Sequence, residues 1–270
     1  MTEPQDTIAL EEVALTETPD SEVIATAEVE EAAETVELDE IGQAMVAALQ
    51  GRADFYDLLA AIYFKPLTAE QVENIAAMDL SAYEDINEYF ADGVNDIRRY
   101  LNKRNSGTRQ ELAVEFTASF GGVSSWKGKY AVPYESVHTS QEGLMYQDAY
   151  HDVYHFFKEN RVDRGAGYDY PHDHLSFMCE FMAIESQRMI TALEAGDNNE
   201  VLHHVEVCQG FLQDHILSWF DTFADLALCL IKTRFYKGIL KISKGFFLED
   251  AELLQSIALE LQDSEEAEEA

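Results

Sequence analysis

From Phe55 onward the apolar side chains keep to one period. Phe55, Leu58, Leu59, Ile62 and Tyr63 stand at i, i+3, i+4, i+7 and i+8. At 3.6 residues per turn that is a single stripe along a helix. Leu212, Ile216, Trp219, Phe220, Phe223, Leu226 and Leu230 repeat the pattern over about five turns, and Met178, Phe181, Met182, Met189, Ile190 and Leu193 make a third stripe. Strand-like alternation is nearly absent, and only five prolines interrupt 270 residues. The chain therefore reads as all-α, with enough apolar material (47% of residues) for one sizeable core. Capping boxes, in which a hydroxyl and a Glu or Gln three residues on satisfy free amides, are expected at Thr68/Gln71, Ser81/Glu84, Thr108/Glu111 and Thr139/Glu142. Asp197/Glu200 is a related helix start.

Charge divides the chain into three. Residues 1–40 hold 14 acids and residues 249–270 hold 9, with no Lys or Arg in either; the 29 acids between face all 18 bases. We expect a helical body at 41–248 between two acidic, disordered tails, at 1–40 and 249–270, the N-terminal one disordered or loosely helical. The tails would act as a solubilising brush, or as a pseudo-substrate for a basic-peptide site. A formal net charge of −34 repels phosphate backbones and anionic lipid, and favours a basic peptide or protein as partner. Cys179, Cys208 and Cys229 form no CxxC pair, which fits a reducing compartment. The N-terminus lacks a basic region and an apolar run, and no stretch is long enough to cross a bilayer, so a cytosolic protein is expected.

Two segments break the helical pattern, GGVSSWKGKYAVPYESVHTS at 121–140 and NRVDRGAGYDYPHDH at 160–174. Both carry aromatics, including Trp126, Tyr130, Tyr134, Tyr168 and Tyr170, and read as ordered loops where binding residues gather. Three patterns carry residue types that could ligate a metal. His151-Asp152-Val153-Tyr154-His155 resembles the zincin HExxH with a shorter acid and no evident third ligand, giving a metal-dependent hydrolase as an alternative function. Glu200-x-x-His203, with Asp148-x-x-His151 as a weaker echo, is half a di-iron site, and Glu200 is more simply a first-turn residue. His172-Asp173-His174 is adjacent to a helix start, where Asp173 is expected to accept first-turn amides. No phosphate loop, dinucleotide turn or nucleophile elbow occurs. A further alternative is an acidic protein that sequesters a basic partner.

Pro133-Tyr134-Glu135-Ser136-Val137, followed by Pro171-His172-Asp173-His174-Leu175 and Glu180-Phe181-Met182, resembles the TorD/DmsD family. The likeness runs over roughly residues 45–250, through RADFYDLLAAIYFKPL, RQELAVEFTASF, FLQDHILSWFDTFADLAL and RFYKGIL. Members are all-helical cytoplasmic assembly chaperones for molybdenum-cofactor oxidoreductases. The resemblance implies binding of the partner's twin-arginine leader peptide through Phe116, Phe120, Tyr134, Glu135, Ser136, Tyr170, Pro171, Asp173, His174 and Glu180. It implies no catalytic residue, no metal and no cofactor, and a monomer or domain-swapped dimer. Ser119 stands where the family's aromatic-x-x-Leu-aromatic motif has Leu, and Tyr170 where an acid often precedes the proline. The residue chemistry agrees: guanidinium groups call for carboxylates, and an apolar stretch calls for an aromatic groove.

Overall fold

A computed structural model describes residues 24–26, 37–165 and 170–269. Among these residues ten α-helices follow one another: α1 (Glu40–Phe64), α2 (Ala69–Ala77), α3 (Glu88–Leu101), α4 (Thr108–Ser119), α5 (Glu135–Thr139), α6 (Asp148–Glu159), α7 (Leu175–Ala195), α8 (Asn198–Phe211), α9 (Ser218–Leu230) and α10 (Arg234–Glu269). Ser81–Tyr83 is a 3-10 turn, and Leu212–Leu217 is a π-helical turn joining α8 to α9. The all-α expectation holds, with one addition. Ile24–Thr26 (β1) pairs antiparallel with Val162–Arg164 (β2), so a short ribbon interrupts each of two segments expected to lack strands. The remainder of the acidic segment 1–36, and Tyr168, lie outside the described residues.

The helix ends follow local chemistry unevenly. Thr68 and Gln71 form the full reciprocal box at α2, and Asp197 accepts the Glu200 amide at α8, both as expected. The other three boxes do not form. Ser81 is instead held by Asp79, Thr108 Oγ1 accepts the Asn105 amide, and Thr139 closes α5 rather than opening a helix. A capping box is a four-residue pattern, and neighbouring polar groups compete for the same amides.

The core is one contiguous cluster, with α1 lying along α7 and α3 along α10. The α3–α10 crossing depends on two glycines. A Cβ on Gly93 would sit 2.8 Å from the Gly238 carbonyl oxygen, and one on Gly238 would sit 2.6 Å from that of Gly93. Only glycine lets the two backbones approach so closely.

The last helix corrects the expected tail at 249–270. α10 continues without a break to Glu269, and Asp250, Leu254, Ile257 and Leu261 are buried. Asp250 is the anchor. Arg52 donates to it from Nε (2.5 Å) and Nη2 (3.0 Å), and Tyr56 Oη donates at 2.7 Å. The other Arg52 nitrogen, Nη1, reaches the Met182 carbonyl at 3.1 Å and Ser186 Oγ at 2.5 Å. One buried, hydrogen-bonded ion pair thus ties α1, α7 and α10 together. Charge density by itself says nothing of a buried partner some 200 residues earlier, so the acidic run resembles a solvated tail in the sequence.

Candidate functional site

The two loop motifs meet at the N-termini of α5 and α7. Leu175 donates its amide to the Pro133 carbonyl (2.9 Å), Glu135 donates to that of Asp173 (3.0 Å), and Tyr134 and His174 form a bridge. Asp173 Oδ2 accepts the Ser136 amide at 2.8 Å and also the Ser136 hydroxyl. Asp173 therefore caps α5, across the junction, and not α7 as its sequence position suggested. The cap of α7 is His174, whose Nδ1 accepts the Ser176 amide at 3.1 Å. Ser176 Oγ in turn donates to the Ala60 carbonyl of α1 at 2.9 Å.

These contacts fix protonation. Nδ1 of His174 must keep its lone pair to accept, so the ring proton sits on Nε2. Burial with no compensating charge pushes the His174 pKa down to about 3, so the ring is neutral at physiological pH. Burial raises the Asp173 pKa, opposed by the Ser136 hydrogen bonds. Asp173 is wholly buried, and its Oδ1 meets no donor from another residue among those described. A buried carboxylate oxygen without a donor from another residue is costly, about 1–3 kcal/mol, and is a feature of sites kept for binding.

Glu135 is the second buried carboxylate. Its pKa is also raised, chiefly by burial, with His215 pulling the other way. His215 Nδ1 lies 3.1 Å from Glu135 Oε2 and 3.4 Å from Oε1. The π-helical turn is what delivers this imidazole, because its extra residue shifts the register of the continuous helix from Asn198 to Leu230. Trp219 Nε1 donates to the His215 carbonyl at 2.5 Å. His138 stacks on Trp219 with centroids 5.4 Å apart and planes at 10°, completing the wall behind α5.

Aromatic rings rim this floor. Tyr134 packs edge-on to His174 at 4.7 Å, and Phe64 of α1 packs edge-on to Tyr170 at 5.5 Å. Tyr150 and Tyr154 flank His172 at 5.7 and 5.0 Å, and Tyr146 lies 5.1 Å from Tyr150. Tyr170 and Tyr146 remain 42% and 52% exposed, so the rim faces solvent while the carboxylates beneath do not. Tyr146 holds φ +59°, a left-handed conformation costly for a bulky side chain.

Seven of the residues singled out from sequence thus converge: Tyr134, Glu135, Ser136, Tyr170, Pro171, Asp173 and His174. Phe116 and Phe120 do not join the rim. Both are buried core residues, Phe120 packing on Tyr63, Phe223 and Tyr236 at 5.6–5.7 Å, so their place in an exposed groove is corrected. Glu180 is buried on α7 beyond the junction. Sequence reasoning missed Phe64, Tyr146, Tyr150, Tyr154 and His215, which come from elements read as core helix or plain loop. His151 and His155 are exposed on α6, His203 is exposed on α8, and among the described residues no group of three or more metal-ligating side chains forms. Nor, among them, is any helix long and apolar enough to cross a membrane.

The family model described as nitrate reductase delta subunit matches residues 84–225, more than half of the chain. The TorD chaperone of Vibrio vulnificus strain YJ016 is 24% identical over 216 residues, covering 78% of this chain and 98% of that one. The TorD chaperone of Psychrobacter sp. strain PRwf-1 is 24% identical over 222 residues, covering 78% and 95%. A crystal structure from Archaeoglobus fulgidus, of a protein assigned to redox enzyme maturation, covers 86% of this chain and 99% of its own at 16% identity and a TM-score of 0.36. The family match and the TorD relatives define the class, an all-α chaperone of the TorD type. The chain belongs to the nitrate reductase delta subunit family.

Proposed function

We propose that this chain is a cytosolic chaperone that binds the twin-arginine leader of a molybdenum-cofactor oxidoreductase, or its apo form. Binding assists cofactor insertion and holds back export until insertion is complete. The observation that carries this reading is the junction of Pro133–Ser136 with Pro171–Leu175. Two buried carboxylates, Glu135 and Asp173, lie under exposed tyrosines, and Asp173 Oδ1 meets no donor from another residue among those described. A guanidinium suits both parts, because it pairs with carboxylate oxygens and stacks on aromatic faces. The surrounding excess of acid steers a cationic peptide towards the site. The reading uses no catalytic step.

The test is titration calorimetry of the full chain with a synthetic twin-arginine leader, and with the same peptide carrying Lys-Lys. The arginine peptide is expected to bind at least about fivefold more tightly, because lysine cannot form the bidentate pair. Affinity should fall as salt rises, since exposed charge is screened. Failure of the leader to bind, or binding indifferent to both salt and the Arg-to-Lys change, would overturn the proposal.

A further inference from the structure

Away from the junction, α1, α2, α3 and α10 leave an apolar cleft open to solvent. Phe55, Leu58, Ile75, Met78, Tyr83 and Phe90 line it, its walls carry no polar surface, and its volume is about 500 Å³ counting the open mouth. Met78 at its edge is 44% exposed. A patch of this kind needs a partner or a reason, and charge narrows the choice. Between Lys65 and Arg98 the chain carries eight acids and no base. Glu84 is paired with Arg98, Glu73 with Arg104 at 2.9 Å, and Asp92 and Asp96 with Lys241. Glu70, Asp79, Asp85 and Glu88 are exposed on the same stretch of chain as the lining residues Ile75, Met78, Tyr83 and Phe90, and add negative charge to that region.

That field excludes two occupants. The chain's own residues 1–40, with 14 acids and no Lys or Arg, are repelled, and so is a second copy presenting the same mouth. What fits is an apolar segment flanked by cations. The cleft and the junction also share α1. Phe64 touches Tyr170 and His174, whereas Leu58, one of the cleft residues, stands about 9 Å back along the same helix axis. We infer that this cleft holds the apolar stretch of the cationic leader whose arginines occupy the junction, so that one peptide spans both. The inference rests on the leader-binding reading above and adds a second contact to it.

The experiment uses the full-length protein and three synthetic probes: the complete leader, a truncated leader keeping the arginines without the apolar stretch, and a complete leader with a benzophenone in that stretch. Met78→Ser should weaken the complete leader about tenfold, the worth of one buried apolar side chain, and leave the truncated one unchanged. In the wild-type protein, irradiation should place the cross-link on the segment containing Met78, Leu80 and Tyr83. This readout needs no variant to fold. If the complete leader binds the wild type but Met78→Ser is silent and the cross-link lies elsewhere, the cleft assignment is wrong and leader binding stands. Should neither leader bind the wild type, both fall together.

Discussion

The Arg52–Asp250 cluster and the Asp173 junction both bury charge, and they do so in opposite ways. Around Asp250 the donors suffice: Arg52 spends its fork on the carboxylate, Tyr56 adds a third bond, and the leftover guanidinium nitrogen reaches Met182 and Ser186. Around Asp173 they fall short, since Ser136 serves one oxygen and the other meets no donor from another residue among those described. A satisfied buried network holds elements together, whereas an incompletely satisfied one is tolerated where binding needs it. The first region is thus the fastener of the fold, and the second is the part that the proposed function leaves ready for a partner.

The largest expected effect breaks the fastener. Asp250→Ala strands a buried guanidinium and should cost about 3–5 kcal/mol in urea unfolding, with leader affinity of the remaining folded protein unchanged. A loss below about 1 kcal/mol would mean that α10 is not anchored there. Next comes pH. His174 has a native pKa near 3 against about 6.5 unfolded, so below pH 6.5 the unfolded chain takes up a proton that the native ring refuses. Stability should therefore fall as pH drops from about 6.5, by up to about 1.4 kcal/mol per pH unit. Asp173 and Glu135, raised by burial, oppose this nearer the carboxylate range, so the steepest loss comes first. Denaturation across pH 7 to 5 measures the slope, and His174→Gln should flatten it.

A third change sharpens the contrast from the other side. Asp173→Asn keeps an acceptor for Ser136 and removes the charge, so stability should move by no more than about 1 kcal/mol while leader affinity drops about tenfold. Calorimetry and unfolding on the same sample separate the two; a large stability loss with intact binding would make Asp173 a purely structural cap. The smallest effect concerns Tyr146. Tyr146→Gly relieves the left-handed strain and should stabilise the fold by about 0.5 kcal/mol, yet weaken the leader. If binding is unaffected, the ring is not part of the rim.

Much of the body was legible in advance. The stripes on α1, α7 and α9 are packing instructions, and the paired loop motifs pointed to the place where Tyr134, Glu135, Ser136, Tyr170, Pro171, Asp173 and His174 meet. Other features were hidden for definite reasons. Phe116 and Phe120 show an aromatic motif, but only their neighbours Tyr63, Phe223 and Tyr236 reveal that it faces inward. The π-helical turn at Leu212–Leu217 leaves the apolar spacing almost intact, so nothing in the pattern announces that His215 swings onto Glu135. Asp173 precedes α7 and reads as its cap, whereas its side chain crosses to α5.

By itself, the order of residues determined that this chain would be helical and acidic, because periodicity and charge are local or additive properties. Only tertiary structure decided that Asp250 would be interior, that one carboxylate oxygen of Asp173 would meet no donor from another residue among those described, and which tyrosines would line the rim. Those outcomes depend on which groups from distant segments come within hydrogen-bonding reach, and that is a property of packing rather than of any stretch of sequence.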